Sequence, residues 1–176
     1  MSNYKPIGTM YSDLMKIQGA LQSKQPLYQA AQLVQRDAKN HATGRYSTGH
    51  LRNSIMIGFT EQPGQLTAHV GTNVEYALYF EMGTGPKGQA SHEGISPEAH
   101  PIYRQTPWWV HESQVDRDAA DNVYHWFHID TDEGRFYKVT GQPASPFLYP
   151  ALKDNEQKVV RLLADGYQKE IKRRVK

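Results

Sequence analysis

The stretch that most constrains this chain is Val70-Gly71-Thr72-Asn73-Val74-Glu75-Tyr76-Ala77-Leu78-Tyr79-Phe80-Glu81-Met82-Gly83-Thr84-Gly85. It starts as the end of a strand pattern, passes into a short apolar and aromatic turn of helix, and breaks at Gly83 and Gly85. Tyr76, Tyr79 and Phe80 fall at i, i+3 and i+4 and share one helical face. Glu75 and Glu81 sit away from that face. Glycine on both sides of Thr84 allows positive φ or a close backbone approach. Gly83-Thr84-Gly85 lacks the further glycine of a dinucleotide fingerprint and the Gly-Lys-Ser/Thr of a phosphate loop, so it reads as a tight structural turn.

The chain before this stretch begins with an irregular arm, residues 1–9. Met10, Leu14, Ile17 and Leu21 then recur at helical spacing, with Ser12 or Asp13 as a cap and Gly19 weakening the end. Pro26 suits the first turn of a second helix, whose apolar face is Leu27, Ala30, Ala31, Val34 and Ala38. That helix should stop between Asn40 and Gly44. Thr43 to His50 is a loop by composition. In Leu51–Phe59 the residues Ile55, Ile57 and Phe59 alternate with Ser54, Met56 and Gly58, which predicts a half-buried strand. Pro63-Gly64 turns it into a partner strand over Leu66–Gly71.

Residues 86–106 carry Pro86, Pro97 and Pro101 and little periodicity, as expected of a long functional or connecting loop. Trp108–His111, Val123–Ile129 and Arg135–Thr140 are strand candidates, the last two joined by a turn at Thr131–Gly134. Pro143, Pro146 and Pro150 then hold an extended approach, with Ser145 as cap and Pro146 in the first turn of a long last helix. Its stripe is Leu148, Leu152, Val159, Leu163, Tyr167, Ile171 and Val175, an amphipathic helix of roughly seven turns. One domain is expected over 1–176, with 86–140 as an insertion or extended loop region. The class is α+β: helices packed on a small antiparallel sheet with a β-hairpin.

Composition narrows the function. The 176 residues have a formal charge of +2, so the chain has no global electrostatic pull on nucleic acid. Apolar residues make up 38%, low for a globule with no partners and suited to large covered or wet surfaces. No cysteine is present, which excludes disulfides and thiolate chemistry. The N-terminus lacks a signal-peptide core, and no apolar run reaches the ~20 residues of a membrane span. The expectation is a soluble protein made in a cytoplasm.

Eight histidines invite a metal reading. His125 and His128 would point to opposite faces of a strand, while His92 and His100 lie in a loop without ligand spacing. Ser47, Ser54 and Ser145 sit in no nucleophile elbow or triad order. Glu75 and Glu81 are six residues apart and face differently on a helix, so one is better read as a cap or interface residue. Lys169, Lys172, Arg173, Arg174 and Lys176 make a short cationic tail, ordinarily a solvated helix end. Trp108, Trp109, Tyr124, Trp126, Phe127 and Phe136 suit internal packing or a subunit contact. No cofactor, metal or catalytic residue is expected. The alternative reading is a nucleic-acid-binding module or a small metal-dependent nuclease-like enzyme.

Three stretches in order carry a resemblance. They are Ser47–Ile55 (STGHLRNSI), Val70–Gly85 and Gly141–Leu152 (GQPASPFLYPAL). Together they resemble the patterns TGxLrxSI, YAxyxExGTG and qPxPFlxPAl of the neck or tail-completion proteins of long-tailed bacteriophages, also called head–tail connector or minor capsid proteins. The resemblance covers about residues 25–85 and 141–175. Residues 86–140 are longer and more aromatic than that family's usual loop. The resemblance implies a structural virion protein that forms a ring between capsid portal and tail. Its partners would be sibling copies, a head-completion or connector protein, and a tail terminator or tail-tube protein. DNA would pass through the lumen without specific binding. No membrane is implied. Gly49, Leu51, Ser54, Tyr76, Glu81, Gly83, Thr84, Gly85, Pro143, Pro146, Phe147 and Pro150 become fold and interface determinants. Ring contacts are heterologous, and the Tyr76–Gly85 and Pro143–Pro150 runs should pack together near one. Glu81→Lys and Phe147→Ala are accordingly expected to impair assembly. Infectious particles built normally by both variants would refute this.

Overall fold

Alanines let the helices meet. The computed structural model describes residues 7–43 and 49–175. The Met1–Pro6 part of the arm and Gly44–Thr48, with Ser47 and Thr48 of the first motif, lie outside the described residues. Helix α1 spans Ile7–Leu21 and α2 spans Lys24–His41. On α2 the buried side chains are Pro26, Ala30, Ala31, Val34 and Ala38, which is the predicted face apart from half-buried Leu27. Small residues there bring the last helix close: a Cβ on Gly166 would stand 2.7 Å from the Pro26 Cβ. The arm is shorter than expected, because α1 already begins at Ile7. Ser12 and Asp13 are therefore interior to the helix rather than capping it.

Helix α3, His50–Ser54, precedes the hairpin of β1, Met56–Gln62, and β2, Gln65–Gly71. The predicted strand thus starts late, since Leu51–Ser54 is helical. The cause is local. Gly49 takes φ +78°, the Asn53 amide donates to the Gly49 carbonyl at 2.9 Å, and the Ser54 hydroxyl donates to the Leu51 carbonyl at 2.7 Å. The hairpin itself is as expected, with Gln62 opposite Gln65 around Pro63-Gly64 and Gly64 at φ +77°. Along β1, Ile57 and Phe59 are half-buried while Met56 and Gly58 are exposed. Gln35 ties α2 to this unit by donating to the Ile55 carbonyl at 2.8 Å.

Helices α4, Ala77–Met82, and α5, Gly85–Ala90, lead into the insertion. A second sheet follows, of β3, Trp108–His111, β4, His128–Thr131, and β5, Gly134–Val139, in the order β3-β5-β4 and antiparallel throughout. Only His128 and Ile129 of the predicted Val123–Ile129 strand are in it. Before them the chain forms a π-helical turn over Ala119–Val123, and the Tyr124 ring stacks on Trp126 at 5.0 Å. Trp126 then meets Tyr137 edge-on, so these aromatics wrap a small core instead of alternating along a strand. That core is Ala120, Tyr137 and Val139. Arg135 bridges Asp130 at 2.7 Å and Asp121 at 3.2 Å, and the Tyr137 hydroxyl donates to Asp121.

The chain closes with α6, Leu148–Lys153, and α7, Glu156–Val175. The expected seven-turn helix is divided at Asp154-Asn155. Asn155 is buried there, and its side-chain amide donates to the Ala151 carbonyl and to Asp37 on α2. A side chain that bonds backbone locally competes with helix continuation. The main core gathers Val34, Ala38, Ala42, Leu51, Ile55, Ala77, Phe147 and Ala151. Ile55 is 1% exposed. Ile55→Ala is expected to cost about 2–5 kcal/mol in urea unfolding, and Ile57→Ala distinctly less because Ile57 is only half-buried.

Candidate assembly surface

Glu81 is the buried acid of an otherwise apolar helix, 7% exposed. Its carboxylate reaches across 66 residues of chain to the start of α6. Oε2 accepts from the amides of Phe147 at 2.7 Å and Leu148 at 3.0 Å, and Oε1 accepts from Tyr149 at 3.0 Å. The first four amides of a helix have no partner inside it. Glu81 satisfies three of them, and the fourth position is Pro150, which has no N–H. A carboxylate at this end is also favoured by the helix dipole. Ser145 and Pro146 were expected to start the helix. They do not, because the cap comes from α4 and the first helical residue is Leu148. The Ser145 amide instead donates to the Phe80 carbonyl at 2.7 Å.

The glycine turn lies beside this cap. Thr84 pairs with Gln142 as an antiparallel bridge, with amide-to-carbonyl distances of 2.9 and 3.0 Å. Two backbone segments cross here with no room for a Cβ. One on Gly83 would lie 2.7 Å from the Ala144 nitrogen, and one on Gly85 2.6 Å from the Thr140 oxygen. Gly141, at φ +92°, would put one 1.9 Å from the Thr84 oxygen. The Tyr76–Gly85 and Pro143–Pro150 runs therefore do pack together. Gly141 is a junction residue absent from the sequence-derived candidates, and its signal was the glycine directly ahead of Gln142-Pro143.

The remaining candidates divide. Leu51 and Phe147 are core side chains. Gly49 starts α3, and Ser54 bonds Thr72 at 2.6 Å, so both brace the hairpin from below. Pro146 lies against Gly94 and Pro143 is exposed. Tyr76 sits near the surface, its hydroxyl 3.1 Å from the His50 ring nitrogen and its ring 5.9 Å from Phe80.

On the outer side of α4 an apolar cleft of about 870 Å³ opens towards the insertion. Leu78 and Tyr79 line one wall, and residues 99–104 with Trp108 line the other. The far wall is held in place. The Tyr103 hydroxyl donates to the Met82 carbonyl at 2.8 Å, and the Arg104 guanidinium lies 5.5 Å from the Trp108 ring centre. Ile102 projects from it fully exposed. Exposed apolar groups at this density mark a surface that meets something. His125 lies outside any strand at φ +48°, and its ring bonds the Asp121 carbonyl, while His128 opens β4. Among the described residues no three His, Asp or Glu side chains are grouped to hold a metal ion, and no helix is long and apolar enough to cross a membrane.

Residues 10–83 match the family model described as "Bacteriophage HK97-gp10, putative tail-component". The likeness to phage neck and tail-completion proteins is borne out at the level of this family. The HK97-gp10-like segment takes in the first motif and nearly all of the second. It begins at Met10, so most of α1 lies within it, earlier than the motifs indicated. It stops before the insertion and the Gly141–Leu152 motif. No curated protein and no solved structure matches the chain.

Glu81→Gln keeps the side-chain size but removes one acceptor, and should cost about 1–3 kcal/mol in urea unfolding. Gly141→Ala should cost more, because its Cβ collides with backbone that cannot rotate away.

Proposed function

We propose that the chain is a structural virion protein that builds a ring at the phage head–tail junction and joins the capsid connector to the tail. The observation that carries this reading is the tail-component match over residues 10–83. The way the conspicuous polar group is used supports it. Glu81, the one acid in the aromatic helix, is consumed by three backbone amides and holds the fold together. What the surface offers is apolar: Leu78, Tyr79 and Ile102 around the cleft, and a row of large side chains along α1.

The ring's other contacts would be a head-completion or connector protein on one side and a tail terminator or tail-tube protein on the other. DNA would pass through the lumen unread. The chain would enter the particle from the host cytoplasm during assembly, and it would perform no catalysis.

A phage with a stop codon early in this gene tests the reading. Filled heads and finished tails should accumulate side by side, unjoined, and adding the purified protein should restore joining. Joined, infectious particles in the absence of the protein would refute it.

A further inference from the structure

The outer edge of β2 is open. Gln62 and Gln65 face each other across a two-residue turn, so their backbones bond each other and the ladder alternates from there. Thr67 and His69 therefore bond β1, while Leu66, Ala68 and Val70 turn their N–H and C=O groups away from it. Among the described residues none of these three finds a hydrogen-bond partner outside the hairpin. Free edges are ordinarily blunted by charge or proline. On β1 that charge is Glu61, paired with Lys24 at 2.6 Å. Strand β2, QLTAHVG, has no Lys, Arg, Asp, Glu or Pro.

An apolar groove runs beside this edge. Helix α2 packs on β2 and also on α6 and α7. Between them lies a groove of about 300 Å³. Ala31 and Val34 of α2 form its floor, Ala68 and Val70 its β2 wall, and Leu148 and Leu152 the wall opposite. No charged residue lines it. Because α6 closes the far side, the groove admits one strand and not a second hairpin with its helix. The outward peptide groups of β2 select an extended backbone. The floor selects apolar side chains at alternate positions, since those share one face of a paired strand.

Among the described residues this chain has no spare strand of that kind, so a second copy has none to offer either. Residues 91–107 are interrupted by Pro97, Pro101 and Pro107, each without the donor a ladder needs. In the next extended run the Ala144 and Ser145 amides are already bonded, to Ser91 and Phe80. We propose that β2 and its groove receive an extended segment of a different virion protein. That segment pairs with Leu66, Ala68 and Val70 and seats alternate apolar side chains against α2. This rests on the virion reading above, but not on the ring.

Hydrogen exchange on the free chain and on purified particles reads the contact directly. The amides of Leu66, Ala68 and Val70 should exchange about tenfold or more slower in particles, with Thr67 and His69 protected in both. Equal exchange of the three in both samples overturns the proposal. The chain has no cysteine, so Leu152→Cys, at a position 54% exposed, gives a single site for a benzophenone maleimide. Irradiated particles should show it joined to one other virion protein, at a segment whose apolar residues alternate by mass spectrometry. Cross-linking to sibling copies alone, to a segment without that alternation, or to nothing overturns the proposal. Ala68→Pro in the Leu152→Cys background removes an outward donor and no bond to β1. Its urea midpoint should stay near that of Leu152→Cys while the cross-link falls about tenfold or more. A full cross-link from the folded double variant overturns the proposal. If the proline variant does not fold, Leu152→Glu decides instead. That chain should be left out of particles or exchange its three amides there as fast as when free; protection equal to the unsubstituted chain overturns the proposal. Purified particles that lack the chain altogether overturn the virion reading, and this contact with it.

Discussion

The structure depends on one carboxylate. Glu81 reaches from α4 to the three amides at the start of α6, and among the described residues no other side chain accepts from all three. A helix end buried without partners is costly, because each orphaned amide forfeits its water without replacement. Removing the negative charge from water is costly too, and the three amides and the helix dipole are what offset it. Each partner is therefore needed by the other. That mutual need fixes α4 against α6, and through α6 fixes Phe147 and Ala151 in the main core.

The glycine junction follows from the same constraint. Holding α4 against the Pro143–Phe147 approach brings the outgoing strand of chain at Thr84 against the returning one at Gln142. The insertion leaves and returns past that bridge, and it is tied to the body again where the Tyr103 hydroxyl donates to the Met82 carbonyl and the Ala144 amide to the Ser91 carbonyl. Its own core of Ala120, Tyr137 and Val139 is separate from the core of the body. Pinning by Tyr103 and by the Thr84–Gln142 bridge is also what gives the cleft two fixed walls.

Two of the polar groups weighed for chemistry, Glu81 and Ser54, are spent on shape, as are Asn155 and Asp121. Glu81 caps a helix, Ser54 braces the hairpin, Asn155 divides the final helix, and Asp121 holds Arg135 and Tyr137. The apolar groups are the ones left over. Ile7, Met10, Leu14, Leu78 and Ile102 face water in the single chain. This inversion suits a subunit whose product is surface, since an apolar face gains stability only when another molecule covers it.

Local pattern alone was enough to find the hairpin, the apolar face of α2, strands β3 and β5, and the abrupt exit from α4 at Gly83. Each rests on short-range physics: period-two or period-3.6 spacing, and turn residues with restricted φ. The first motif and nearly all of the second lie within the residues that match the phage tail-component family. What only the tertiary structure decided were the matters settled between residues far apart in the chain. Local spacing cannot say that Glu81, rather than Ser145, caps α6, that Asn155 breaks the last helix by bonding α2, or that the stripe of α1 faces out. A helical period shows that a face is apolar but not which neighbour, if any, covers it; that choice is made where distant segments compete for the same surface.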